Sequence, residues 1–248
     1  FKRRYDTVCH LAGVTKGGRE HAAHRMFDVN VTGTLAVMEY CLRQKARCVL
    51  ASSSAVYRPS LRRTPLKENS AREPVLLYGV SKKLAEDVAM RFAALFGVPT
   101  VSLRIFNMYG PGQRADFIVP DAARQILKRG RAVLRTPGAV RDFVHVSDVA
   151  DAFVAACAAK RRDFVAINVG TGNGWSIRRL TTMIADILNR RLKVSVASGR
   201  GMGRSRISGL KNFVIADVRK ARKLLGWAFR IPLEEGLSYL HETDAPGG

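Results

Sequence analysis

Short apolar runs alternate along the chain with longer segments in which apolar residues recur every three to four positions. The short runs fall at residues 7–11, 48–52, Thr100–Ile105, Phe164–Val169 and 193–197, and they predict strands. The longer segments cover residues 22–43, 78–96, 117–129, 149–159, 176–189, 218–225 and 233–241, and they predict helices. Alternation of this kind predicts an α/β fold with a parallel sheet, whose strands are joined by right-handed helical crossovers. Two stretches, 58–75 and 198–212, predict long loops. The composition shifts near Gly110-Pro111-Gly112. That shift predicts a sheet domain over residues 1–112 and a C-terminal lobe over 113–248, some of whose segments return to the sheet.

Composition narrows the class. Of the 248 residues, 47% are hydrophobic, enough for a full globular core. No stretch is apolar enough to span a bilayer, and Phe1-Lys2-Arg3-Arg4 is too polar for a signal peptide, so a cytoplasmic protein is expected. The four cysteines, Cys9, Cys41, Cys48 and Cys157, form no CxxC pair and have no histidine at zinc spacing. They are expected to be reduced core residues, with no metal bound.

Charge adds a second reading. There are 42 Lys and Arg against 20 Asp and Glu, a net charge of +22, which favours anionic partners. Residues 190–216 hold seven basic residues and no acidic one. No aromatic residue interleaves them before Phe213, so a stacking surface for single-stranded nucleic acid is not evident. Nucleic acid is a less favoured partner than small phosphorylated molecules.

Candidate chemistry centres on Tyr78-Gly79-Val80-Ser81-Lys82, which places Tyr78 and Lys82 one helical turn apart. An ammonium beside a phenol favours the phenolate and is expected to lower its pKa, making Tyr78 an acid/base candidate. Upstream, an apolar strand runs into Ser52-Ser53-Ser54 and Tyr57. Ligands of open α/β sheets bind at such carboxyl ends of strands.

Together with Val8-Cys9-His10-Leu11-Ala12-Gly13, Asn30-Val31-Thr32-Gly33-Thr34, Leu103 through Gln113, Arg141 through Ala150, Asn168 through Gly172 and Leu225-Gly226-Trp227, these segments resemble, in order, the extended short-chain dehydrogenase/reductases of the nucleotide-sugar epimerase/dehydratase family. The resemblance implies a Rossmann-like parallel sheet with a small C-terminal substrate-binding lobe. It implies catalytic roles for Ser53, Tyr78 and Lys82. Leu11, Ala12, Gly13, Asn30, Lys82 and Phe106 would line an NAD cofactor, with NADP an alternative. Asn107, Arg141 and Arg206, with Ser53, would hold a nucleoside-diphosphate sugar. It also implies a homodimer built on the helices at 22–43 and 78–96.

The resemblance carries departures. Arg58 follows Tyr57 where the family usually has Gly. The family's first βα units, roughly 60 residues by the size of such units, are expected to be missing before Thr7, and with them the Gly-rich pyrophosphate turn, so that this chain alone would bind NAD weakly. Gly170-Thr171-Gly172-Asn173-Gly174 is rejected as a substitute, since Trp175 fills the sixth position of GxGxxG. Dehydratases of the family place an acid/base pair where this chain has Ser54 and Ala55, so C4 epimerisation is expected. A reductase or dehydratase of the same family, or a member repurposed to bind RNA or protein, is the alternative.

Overall fold

The structure, a computed structural model, describes residues 4–15, 22–160, 163–197 and 212–240. The first strand, β1 (Thr7–His10), leads to α1 (Ala22–Phe27), a π-helical turn (Asp28–Thr32) and α2 (Gly33–Gln44). Next come β2 (Arg47–Ser53), a 3-10 turn (Ser54–Val56), α3 (Leu77–Phe96) and β3 (Thr100–Ile105). The chain then builds β4 (Asn107–Tyr109), α4 (Ile118–Arg129), β5 (Arg131–Leu134), β6 (Val140–Arg141) and β7 (Phe143–His145). It continues through α5 (Val146–Ala158), β8 (Phe164–Val169), β9 (Trp175–Ser176) and α6 (Ile177–Ile187). Last are β10 (Lys193–Val196), β11 (Phe213–Val214), α7 (Arg219–Leu225) and α8 (Leu233–Gly236).

The main sheet has the order β1-β2-β3-β8, with every described pairing parallel. Side chains alternate between its faces, and each face has its own core. Cys48 and Leu50 of β2 pack with Met38, Cys41 and Ala89 of α2 and α3. Val49, Val101, Leu103 and Ile167 pack on the other face with Val149, Ala152 and Ala156 of α5. A separate core of Tyr109, Val119, Ile126, Leu180, Ile184 and Leu237 organises the C-terminal lobe. The chain therefore leaves the sheet after β3, begins the lobe with β4 to β7, returns through α5 and β8, and leaves again.

Two expectations need correction. The helix expected at 22–43 is interrupted by the π turn, where the Gly33 N–H reaches back to Asp28 O. Of the cysteines, Cys41 and Cys48 are core residues, but Cys157 is half-buried and Cys9 is exposed.

The lobe is pinned to the sheet by a buried carboxylate. Asp142, between β6 and β7, accepts from the backbone N–H groups of Thr171 and Gly172, the Thr171 hydroxyl and the Ala216 N–H. Position 170 must lack a side chain, because a Cβ there would stand 2.8 Å from Asp142 Oδ2 and 2.7 Å from Ala216 Cβ.

Candidate active site

β2 ends at Ser53, whose Oγ accepts the Ala55 N–H at 3.2 Å and so starts the 3-10 turn. Tyr78 lies in the first turn of α3, with its phenol beside the Ser53 side chain. The two elements can approach this closely because residue 79 is glycine. A Cβ there would lie 2.2 Å from Ala55 O and 2.8 Å from Pro74 Cβ.

Lys82 follows one turn later and is buried. Its Nζ donates to Ala51 O at 2.8 Å, which ties α3 to β2. Gly13 lies against the same ammonium, since a Cβ there would meet Lys82 Nζ at 3.0 Å and Asn30 Oδ1 at 3.3 Å. Leu11, Ala12 and Gly13 are exposed, just past the end of β1. Asn30, in the π turn, holds this segment: Oδ1 accepts Val14 N–H at 2.8 Å, and Nδ2 donates to Val14 O and Ser81 Oγ. The Asn30 side chain is thus engaged with protein, and its link to the Leu11–Gly13 segment is a positioning one.

Burial governs the charges here. It pulls Lys82 down to about 8, opposed by Glu86, and pulls His10 down to about 4, helped by Lys82. It also pushes Tyr78 up, and the Ser53 side chain opposes this without reversing it. The expected lowering of Tyr78 by the lysine is therefore not what the protein alone produces. A dry pocket disfavours phenolate and ammonium alike.

Beneath the site runs a polar network whose centre, Glu86 with Ser102 and Arg72, was not among the residues the sequence pointed to. Glu86, one turn after Lys82, accepts from Ser102 Oγ, Arg104 and Arg72. Arg104 Nη1 donates to Tyr57 Oη at 2.8 Å, and Tyr57 donates to Asn168 Oδ1 at 2.6 Å. These bonds join α3, β3, the turn after Ser53 and β8. The available signal was Ser102 and Arg104 facing one way in an otherwise apolar strand, which requires a buried partner.

Phe106 is buried in a cluster with Val56, Tyr57 and Leu66, behind the Ser53 turn. Asn107 opens β4, with its N–H donating to Asp142 O. Arg141 is half-buried, and its Nη1 donates to neutral oxygens: Val140 O, Asn212 O and Asn212 Oδ1. Burial lowers its pKa, with no carboxylate opposing. An anion would relieve that cost, as the planar guanidinium suits phosphate. Arg206 lies outside the described residues. The Thr171 and Gly172 N–H groups are spent on Asp142, so this Gly-rich turn does not offer them to a phosphate. No group of three or more metal-ligating side chains occurs among the described residues, nor does any helix long and apolar enough to cross a membrane.

Comparison with known proteins gives the family and the fold. The family model for the NAD dependent epimerase/dehydratase family matches residues 1–170. The uncharacterized UDP-glucose epimerase YtcB of Bacillus subtilis is 28% identical over 94% of this chain and 72% of its own length. The structure of MoeE5 in complex with UDP-glucuronic acid and NAD is 32% identical, with a TM-score of 0.83 over 96% of this chain and 79% of that one. RMD from Pseudomonas aeruginosa, complexed with NADPH, is 26% identical, with a TM-score of 0.86 over 98% and 82% of the two chains.

Proposed function

The chain belongs to the NAD dependent epimerase/dehydratase family, and from that premise we propose that it carries the catalytic machinery of a nucleoside-diphosphate-sugar 4-epimerase. The observation that carries this reading is the placement of Tyr78 beside Ser53, with Lys82 one turn further along α3 and Ser54 and Ala55 in the turn after Ser53. Neither Ser54 nor Ala55 can exchange protons as a carboxylate would, so loss of water from the sugar is disfavoured. The similarity to a UDP-glucose epimerase and to the NAD complex of MoeE5 supports the same reading.

The residues present fit the nicotinamide end of a dinucleotide. Leu11, Ala12 and Gly13 are exposed, and Gly13 leaves space beside the Lys82 ammonium that a Cβ would fill. When bound, NAD supplies a hydride acceptor and a positive charge at the reacting centre. Tyr78 takes the sugar 4-hydroxyl proton at Oη and later returns it. Ser53 holds the same oxygen, and Lys82 orients the ribose. Arg141 binds a diphosphate oxygen in exchange for its neutral contacts with Asn212.

The test is a panel of UDP-hexoses incubated with NAD and the complete protein. The expected products are isomers of unchanged mass, and Tyr78→Phe is expected to lower turnover by a factor of about 10² or more. A product lighter by one water would point to a dehydratase. Stoichiometric consumption of NADPH would point to a reductase, the alternative favoured by the NADPH complex of RMD. Near-normal turnover in Tyr78→Phe would remove the assigned acid/base.

A further inference from the structure

Cys9 and Cys157 lie 148 positions apart in sequence, yet their sulfurs are 3.2 Å apart. Cys9 is exposed on β1, and Cys157 is half-buried near the end of α5. The contact is held by the surrounding structure. Arg47, whose Cα partner across the β1–β2 pairing is Thr7, reaches over it with both arms of its guanidinium. Its Nη2 donates to Cys157 O at 2.6 Å and to Thr7 Oγ1 at 3.1 Å, and its Nη1 donates to Ala159 O. Arg47 thus ties the last carbonyls of α5 to β1 and β2, fixing the thiol of one element against that of the other. A disulfide needs its sulfurs at about 2.05 Å, so closure calls for an approach of roughly 1 Å, within the reach of small side-chain torsions.

We propose that Cys9 and Cys157 are a thiol pair that closes into a disulfide by exchange with a low-molecular-weight disulfide. In the first step one of the two thiolates attacks a sulfur of the small disulfide, forming a mixed disulfide and releasing one small thiol. In the second, the other cysteine attacks the protein sulfur of that mixed disulfide, releasing a second small thiol. The two cysteines lose two protons and two electrons, and the small disulfide becomes two thiols. Held in contact, the second cysteine resolves the mixed disulfide faster than a free thiol can reverse it. Cys41 and Cys48 also neighbour each other, but both are sealed in the core, out of reach of the oxidant. They serve as an internal control. The bond would fasten β1 to α5, and β1 runs directly into Leu11–Gly13 beside Lys82. It is independent of which sugar reaction the site performs.

The experiment equilibrates the folded protein with oxidised and reduced glutathione, traps the thiols by alkylation and maps the peptides by mass. The expected result is an intramolecular disulfide joining Cys9 and Cys157, reversed by dithiothreitol, with Cys41 and Cys48 recovered as thiols. In Cys157→Ser, Cys9 should instead carry a persistent glutathione adduct. Closing so long a loop should also raise the unfolding midpoint by several degrees, on the order of 5 °C. Recovery of Cys9 and Cys157 as free thiols, or as two separate glutathione adducts, overturns the proposal. So does an oxidised form that melts no higher than the reduced one.

Discussion

Burial draws the Lys82 pKa down to about 8 from an ordinary value of 10.5, and Glu86, one turn along α3, only partly offsets this. A base whose pKa is depressed by folding costs stability wherever it is protonated in both states. The cost is fully present below pH 8 and disappears as pH rises from about 8 to 10.5. Lys82→Met is therefore expected to lose turnover yet to be more stable than the parent at pH 7, by about 1–3 kcal/mol. That advantage should shrink at about pH 10, and urea unfolding at the two pH values measures it. A variant equally destabilised at both would show that the bond from Lys82 to Ala51 O outweighs the buried charge. At this scale the site was partly legible. Spacing alone placed Tyr78 and Lys82 on one helix face and Ser53 at a strand end, and the fold brings all three to one place. The sign of the Tyr78 shift was not legible, because it depends on how much water the fold removes. Nor were the contacts of Arg141 with Asn212, which is 71 positions distant.

α3 must lie flat against the turn after β2 for the Ser53–Tyr78 contact to form, and Gly79 is what allows it. Adding one methyl group there forces a backbone carbonyl 2.2 Å away to move. Gly79→Ala is expected to cost about 2–3 kcal/mol, the range of an overpacked interior, measured as a lower urea midpoint. Turnover per folded molecule should fall as well, because the displaced helix carries both Tyr78 and Lys82. Unchanged turnover in the folded fraction would show that the turn, not the helix, gives way. α3 itself was readable from its periodicity, and the structure extends it by one residue from the expected start. The break at Asp28–Thr32 was not readable. A π turn inserts one extra residue, so apolar positions on either side still fit a helical pattern when read separately. What the turn accomplishes, aiming Asn30 at Val14 and Ser81, depends on two other segments of the chain.

The strand–helix alternation was enough to indicate a parallel sheet, but not the path by which the chain leaves it after β3 and rejoins it through α5 and β8. That path depends on contacts such as the one from Asp142 to Thr171 and Ala216, which leave no local pattern. The outer surface of α2 and α3 presents a different case. Sequence periodicity put apolar residues on more than one face of each helix, and the structure separates them. Met38, Val37, Val88 and Phe92 pack towards the sheet, whereas Leu35, Leu42, Leu84 and Leu95 are exposed, Leu95 to 70%. Leu76, Leu77 and Phe96 extend the exposed set along α3. Scattered single leucines on a surface are ordinary, but a row along two helices that pack against each other is the kind of apolar surface that a protein usually covers. A two-fold pairing of these helices would cover it with a second copy, each chain presenting the same surface to the other. The net charge of +22 opposes association through long-range repulsion, so dimerisation should strengthen as salt is raised from low to physiological levels. Light scattering at micromolar concentration is expected to give twice the 27.3 kDa chain mass. Leu84→Glu combined with Leu95→Glu should return it to the single-chain value, with little change in the unfolding midpoint, because neither side chain contributes to the core. A parent protein of single-chain mass at physiological salt would rule out this pairing, and the exposed leucines would then need another explanation.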